Sequence, residues 1–85
     1  MKDYEVFLQQ EAFTALDAMD ARRRYQAVAF MDRLASNPFF DVDLTHEDEK
    51  GRLVHRTLFG DFMFSFSVDH AMGQVLVFEI TLLSE

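Results

Sequence analysis

The chain has no cysteine, no tryptophan, one proline and three glycines among its 85 residues. Without cysteine it cannot be stabilised by disulfides, and such a composition is compatible with a reducing cytoplasm. A chain of this length has room for one hydrophobic core and no second. Residues 1–85 are therefore expected to form a single domain.

Basic residues are also scarce. Eight Lys and Arg stand against fifteen Asp and Glu, giving a formal net charge of −7. Because Lys and Arg drive phosphate binding by displacing counterions, general nucleic-acid binding is not expected. The first residues lack the apolar run of a signal peptide, and no stretch approaches the roughly 18 apolar residues of a membrane span. A cytoplasmic protein with no membrane contact is expected.

Apolar residues, by contrast, are abundant: they make up 49% of the chain and include ten phenylalanines and five methionines. A small domain buries a limited share of its surface, so part of this apolar load is expected to face a partner protein or a second copy of the chain. Methionine suits such a surface because its flexible thioether adapts to irregular contacts.

The first half of the sequence predicts a strand followed by two helices. Tyr4–Gln9 alternates apolar and polar residues as a short strand does. From Glu11 the apolar period becomes helical, and Asp20 can cap a second helix that ends at about Ser36, because Asn37 precedes Pro38. The two helices are expected to form a hairpin. The acidic stretch Phe39–Gly51 is expected to be a solvated loop.

The second half predicts three strands joined by short connections: Arg52–Phe59, Phe62–Asp69 and Gln74–Leu83. In the middle strand Phe62, Phe64, Phe66 and Val68 take one face and should be in the core, whereas Met63, Ser65, Ser67 and Asp69 take the other face. In the last strand Leu76, Phe78, Ile80 and Leu82 are predicted to face the core, with Val75 and Val77 on the other side. The expected fold class is α+β, with the order β-α-α-β-β-β and the helical hairpin packed on one face of an antiparallel sheet.

Four stretches together resemble one known family: Tyr4-Glu5-Val6, Leu34-Ala35-Ser36-Asn37-Pro38-Phe39, Gly60-Asp61-Phe62 and Val75-Leu76-Val77-Phe78-Glu79-Ile80. Their order and spacing are similar to those of the bacterial RelE/ParE toxin superfamily of type II toxin–antitoxin and plasmid-stabilisation proteins. The resemblance implies a toxin-family component that is neutralised by an antitoxin.

The residues that cleave messenger RNA in RelE-like members are largely missing. The resemblance implies an arginine just after the Gly-Asp-aromatic turn, where this chain has Met63, and basic residues after the last strand, where it has Leu83. RNA cleavage needs a base, an acid and cations for the phosphorane charge, and neither residue supplies one. Arg56, Arg52 and His55 remain as weak catalytic candidates, although alternation puts His55 and Arg56 on opposite faces.

The favoured interpretation is therefore a ParE-like toxin that binds a protein target. Val75, Val77, Met63 and Phe59 are its predicted partner-binding residues. A ribosome-dependent endoribonuclease and an inactive interaction or dimerisation module remain as alternatives. If the chain binds an antitoxin, that antitoxin would rely on apolar contacts or bring its own positive charge.

Neither a metal nor a cofactor is expected. The acidic residues around His46 do not have the fixed spacings of metal-ligand motifs. Arg22-Arg23-Arg24 lies at a helix start, where positive charge opposes the helix dipole. The favoured explanation is solvated side chains neutralised by nearby acids, and the alternative is contact with an anion or an acidic partner.

Overall fold

A computed structural model describes residues 3–38 and 42–83 and has the expected α+β class with an N-terminal helical hairpin. The elements are β1 Glu5–Leu8, α1 Gln10–Asp17, α2 Ala21–Ser36, β2 Leu44–Glu47, β3 Leu53–Phe59, β4 Phe62–Asp69 and β5 Gln74–Leu82. Among the described residues, no helix is long and apolar enough to cross a membrane.

The sheet is mixed, so the prediction of a purely antiparallel sheet is wrong at one strand. Its order is β1-β5-β4-β3-β2. The last three strands form the predicted antiparallel meander, β2 extends it by one more antiparallel strand, and β1 pairs in parallel with β5. The helical hairpin carries the chain from one edge of the sheet to the other, and the meander then returns to β1. Short connections predict pairing only between strands that follow one another in the sequence, so they do not predict this contact between the two ends of the chain.

A further strand, β2, occupies part of the stretch that was expected to be a solvated loop. Leu44–Glu47 pairs with β3, and all four residues are exposed. The turn that joins the two strands depends on Asp48, whose carboxylate accepts hydrogen bonds from the N–H groups of Lys50 at 2.9 Å and Arg52 at 2.8 Å. Gly51 completes the turn at φ 81°, a conformation that favours glycine. Residues 39–41 lie outside the described residues.

The core lies between the helices and one face of the sheet. Phe62, Phe64 and Phe66 are fully buried, as predicted from their alternation in β4. The ring of Phe30 in α2 packs on them, with its centroid 4.4 Å from that of Phe64. Each such buried side chain stabilises the fold by about 1.5–3 kcal/mol relative to exposure. The remaining members of the buried core are Ala12, Ala27, Met31, Leu34, Val75, Val77 and Ile80.

The prediction of which residues in the last strand face the core is wrong for the first half of that strand. Val75 and Val77 are 0% exposed and face the helices. Ser65 pairs with Glu79 and the next residue, Phe66, pairs with Val77, so Phe78 is an extra residue in β5. This β-bulge reverses the alternation, which is why Val75 and Val77 share the core with Ile80. An unbroken period of two cannot detect it.

Two of the three arginines at the start of α2 have local structural roles, and the role of Arg24 was not expected. Arg24 donates hydrogen bonds to the main-chain carbonyls of Leu16 at 3.3 Å, Asp17 at 3.1 Å and Met19 at 2.7 Å. Carbonyls at a helix end carry partial negative charge, so Arg24 closes the end of α1. Arg23 pairs with Asp20 at 3.6 Å, and the Asp20 carboxylate caps α2 by accepting from the Arg23 N–H. These contacts favour the structural explanation of the cluster.

Replacing Phe64 by alanine should lower the free energy of unfolding by about 3–5 kcal/mol, because it removes a ring from the centre of a closely packed core. Phe13→Ala is the matched control, since Phe13 is 56% exposed on α1. Its effect should stay below about 0.5 kcal/mol. Urea unfolding followed by circular dichroism measures both values. Equal losses for the two variants would contradict the placement of the core.

Candidate functional site

The candidate site is the sheet face opposite the helices, here called the open face. Neither α1 nor α2 packs on it, and its members follow from the cross-strand pairing in the sheet. They are Glu5, Phe7, Leu44, His46, Arg52, Val54, Arg56, Leu58, Met63, Ser65, Ser67, Asp69, Gln74, Leu76, Phe78, Glu79 and Thr81. In the centre of the face, Ser65 pairs with Arg56 and Glu79, and Ser67 pairs with Leu76.

The centre of the open face is a shallow floor of small side chains. Ser65, Ser67 and Val54 are 5%, 8% and 7% exposed although no helix covers them. Larger neighbours on the adjoining strands shield them from solvent. Among the described residues, neither Ser65 nor Ser67 forms a hydrogen bond with a histidine, so this floor offers no activated nucleophile.

Arg52 lies at one end of the open face and is held from two sides. Its Nε donates to Asp48 Oδ2 at 3.0 Å, and its guanidinium carbon lies 4.7 Å from the centroid of the Phe78 ring. The hydrogen bond from the Arg52 N–H, assisted by the guanidinium group, lowers the pKa of the Asp48 carboxyl. The bulge in β5 supplies the Phe78 ring on this face, so the same irregularity that buries Val77 also positions Arg52.

Arg56 is the second candidate on this face, and it is exposed between Leu44 of β2 and Ser65 of β4. Four residues along a strand separate it from Arg52, a distance of about 13 Å. Both arginines point to the same side of the sheet. Arg52 is engaged there by Asp48 and by the Phe78 ring.

His55 lies on the opposite, helix-facing side of the sheet. Its Nδ1 is 2.9 Å from the Thr45 hydroxyl, and its ring centroid is 5.5 Å from that of Phe66. Alternation predicts this separation from Arg56, and the bulge that could have overcome it lies in β5 and not in β3. The structure therefore does not bring the three catalytic candidates together.

The four predicted partner-binding residues do not form one surface. Val75 and Val77 are core residues, so the expectation that they are exposed is wrong. Phe59 is half-buried on the helix side, where its ring centroid lies 4.8 Å from that of Phe30. Only Met63 lies on the open face, half-buried and paired with Leu58 and Thr81. Partner contact at Met63 and at Phe59 stays a prediction.

A pocket of about 400 Å³ opens on this face where β1, β4 and β5 adjoin the start of β3. It is lined by Phe7, Arg52, Ser67, Asp69, Gln74 and Leu76. Sequence reasoning singled out only Arg52 from this set. Phe7 reaches the pocket because β1 joins β5 in parallel, and Leu76 does so because the bulge turns it away from the core. The alternation of Tyr4–Gln9 was the available indication that Phe7 belongs to one sheet face.

Metal ligands do not cluster in residues 3–38 and 42–83, where no three His, Cys, Asp or Glu side chains are arranged to hold an ion. A second pocket lies beside β1, where the Tyr4 hydroxyl is 3.0 Å from Nδ1 of His70. That contact bridges the strand start and the turn before β5.

The pKa of His55 should make stability depend on pH. Burial, followed by the charge of His70, lowers this pKa from the ordinary value of 6.5. Above pH 6.5 the imidazole is neutral in the folded and unfolded chain alike. As the pH falls below that value, the unfolded chain takes up the proton first, so the folded state loses stability until the pH has passed the lowered pKa.

Urea unfolding should therefore show a smaller loss of stability for His55→Gln than for the native chain between about pH 7.5 and about pH 5. The other ionisable groups remain in the variant, so the difference between the two proteins isolates His55. Identical pH dependence in both would contradict the lowered pKa.

Comparison with known proteins finds relatives in structure alone. No family model matches the chain, and no curated protein matches its sequence at a significant level. A chain of the archaeal RelE–RelB complex of Pyrococcus horikoshii OT3 superposes with a TM-score of 0.77 at 20% identity, covering 98% of each chain.

Two further structures match equally well. A chain of the toxin–antitoxin complex RelBE2 of Mycobacterium tuberculosis gives a TM-score of 0.78 at 18% identity, with 96% of this chain and 93% of that one covered. The isolated RelE toxin of E. coli gives 0.77 at 10% identity, with 96% and 86% covered. Such TM-scores over nearly the whole length show that this chain has the RelE/ParE-like toxin fold.

Proposed function

We propose that this protein is the toxin component of a type II toxin–antitoxin system, that it acts by binding a protein target, and that an antitoxin protein neutralises it. The shared fold supports a toxin component, and two of the similar structures are complexes of a toxin with its antitoxin. Because fold alone does not fix function, the mechanism has to be argued from the site.

The observation that carries the proposal is the chemistry of the open face. Cleavage of RNA by its 2′-hydroxyl needs an acid, a base and cations gathered around one phosphate. Within the described part of the chain, Arg52 and Arg56 are about 13 Å apart along the strand and His55 lies behind the sheet. Met63 occupies the position where the family resemblance implies an arginine. A nuclease site is therefore incomplete on this face.

What the open face offers instead is a surface for another protein. Its small central side chains are flanked by exposed apolar residues, with Phe7 45% exposed at one edge and Leu44 and Leu58 at the other. Specific interfaces combine an apolar centre with a polar rim and deplete charge at their centre. The open face has the exposed apolar residues but keeps Arg56 and Glu79 beside the central Ser65, and its breadth across five strands suits a protein better than a small substrate.

The second candidate is a ribosome-dependent endoribonuclease that cleaves messenger RNA. One observation favours it: Arg52 and Arg56 do share the open face with Ser65 and Ser67. The two arginines could contact successive phosphates of an RNA strand. The acid and base would have to be groups such as His46 and Glu79 of the same face, which form no hydrogen bond or ion pair with either arginine among the described residues, and the net charge of −7 opposes RNA binding.

Expression of the chain alone in a bacterium should arrest growth while messenger RNA stays intact, because the proposed target is a protein. Growth curves together with primer extension on abundant transcripts measure both effects. Arrest with cleaved transcripts would overturn the proposal in favour of the endoribonuclease. Undisturbed growth would overturn it in favour of an inactive interaction or dimerisation module.

Met63→Arg separates the two mechanisms with one substitution. A charge placed in the apolar part of a protein interface should weaken target binding by about tenfold or more, so the variant should relieve growth arrest. In the endoribonuclease hypothesis the same change restores the missing arginine, and cleavage should rise. Phe13→Arg on the exposed side of α1 is the control and should arrest growth like the native chain, with circular dichroism confirming that both variants fold.

A further inference from the structure

The pocket on the open face has an exposed apolar wall. Phe7 contributes a ring that is 45% exposed, and Leu76 from the neighbouring strand lies beside it as its cross-strand partner. Ser67 continues the pocket on the next strand. A volume of about 400 Å³ is enough for one long side chain of a partner protein. The wall suits an aliphatic stem.

The charges around the pocket are not balanced. Arg52 is compensated, because Asp48 binds its Nε at 3.0 Å and the Phe78 ring lies against its guanidinium group. Asp69 accepts one hydrogen bond, from the Met72 N–H at 3.1 Å, through Oδ1. Within residues 3–38 and 42–83 it forms no ion pair with a basic side chain. The uncompensated charge that lines the pocket is therefore negative.

We propose that this pocket receives a lysine or arginine side chain from the partner protein that covers the open face. The inference rests on the proposed function and specifies how the partner is recognised. The stem of the basic residue packs along Phe7 and Leu76, as long charged side chains do when their heads stay near water. The charged head reaches the free carboxylate oxygen of Asp69, and a guanidinium group can also lie over the Phe7 ring.

Charge complementarity selects this occupant over an acidic one. A partner carboxylate entering the pocket would approach Asp69, and the charge of Arg52 that could attract it is already offset by Asp48. It would also approach a protein whose formal net charge is −7, which slows the encounter of like charges. A basic residue is attracted by the negative net charge of the protein during the encounter and by Asp69 once it is in the pocket.

The test uses three blocked pentapeptides, acetyl-Ala-Leu-Xaa-Leu-Ala-amide, in which Xaa is arginine, norleucine or glutamate. Each is titrated into the full-length ¹⁵N-labelled protein, and amide shifts are followed by NMR. The arginine peptide should shift the amides of Phe7, Ser67, Asp69, Gln74 and Leu76. An affinity in the range of about 1 mM is expected for so small a contact. Norleucine keeps the stem without the charge and should bind about three- to fivefold more weakly.

Two variants and one control assign the charge effect to the pocket. Asp69→Asn retains the oxygen that accepts the hydrogen bond from the Met72 N–H. It should lower the affinity of the arginine peptide to that of the norleucine peptide. Asp61→Asn removes the same charge at the far end of β4, where Asp61 is exposed, and should leave binding unchanged. Arg52→Met should strengthen binding of the arginine peptide, because it leaves Asp48 uncompensated.

Several results would overturn the inference. They are equal binding of the arginine and norleucine peptides, tighter binding of the glutamate peptide, shifts confined to another surface, or no shifts with the arginine peptide at about 10 mM. Any of these results could occur together with growth arrest that leaves transcripts intact and is relieved by Met63→Arg. The pocket inference would then fail while the proposed function stands. Cleaved transcripts together with selective binding of the arginine peptide would show the reverse.

Discussion

The packing of α2 on the aromatic row of β4 is the contact on which the rest of the structure depends. Phe30 lies against Phe64 at a centroid distance of 4.4 Å, and the phenylalanines of β4 are fully buried. Their burial fixes which face of the central strand is covered. Because the neighbouring strands take their register from β4, it also fixes which of their side chains are left on the open face.

The bulge at Phe78 is the one irregularity that redistributes residues between the two faces. It lets Val75, Val77 and Ile80 all enter the core, although an unbroken strand would put the last of them on the opposite side. The displaced ring of Phe78 then faces outward and holds the guanidinium group of Arg52. One extra residue thus completes the core and positions a cation on the functional surface, which agrees with the frequent occurrence of bulges next to sites.

Several charged residues have structural roles, both at the helix ends and on the open face. Asp48 holds the turn before β3, Asp20 caps α2, and Arg24 closes the end of α1. Arg52 is engaged by Asp48, which leaves Asp69 as an unpaired acid at the pocket within the described residues. This arrangement supports the proposal that the open face contacts a protein.

The amino-acid pattern by itself determined the α+β class, the helical hairpin, the meander of the last three strands and the buried row of β4. These features arise from local periods and caps, which each segment carries independently of the others. It also determined that His55 and Arg56 lie on opposite sides of the sheet, because alternation within one strand needs no partner. The hydrogen bonds of Asp48 and Arg24 could not be predicted in the same way, since they depend on turns that the composition only suggests.

Tertiary structure alone decided the parallel pairing of β1 with β5, the short strand β2 in an acidic stretch, and the burial of Val75 and Val77. Each depends on contacts between segments distant in sequence or on a change of register that both strands must accommodate. The pocket is the clearest case, because Phe7 comes from one end of the chain and Leu76 from the other. No period within either segment indicates that they meet, and only the closed sheet brings them to one surface.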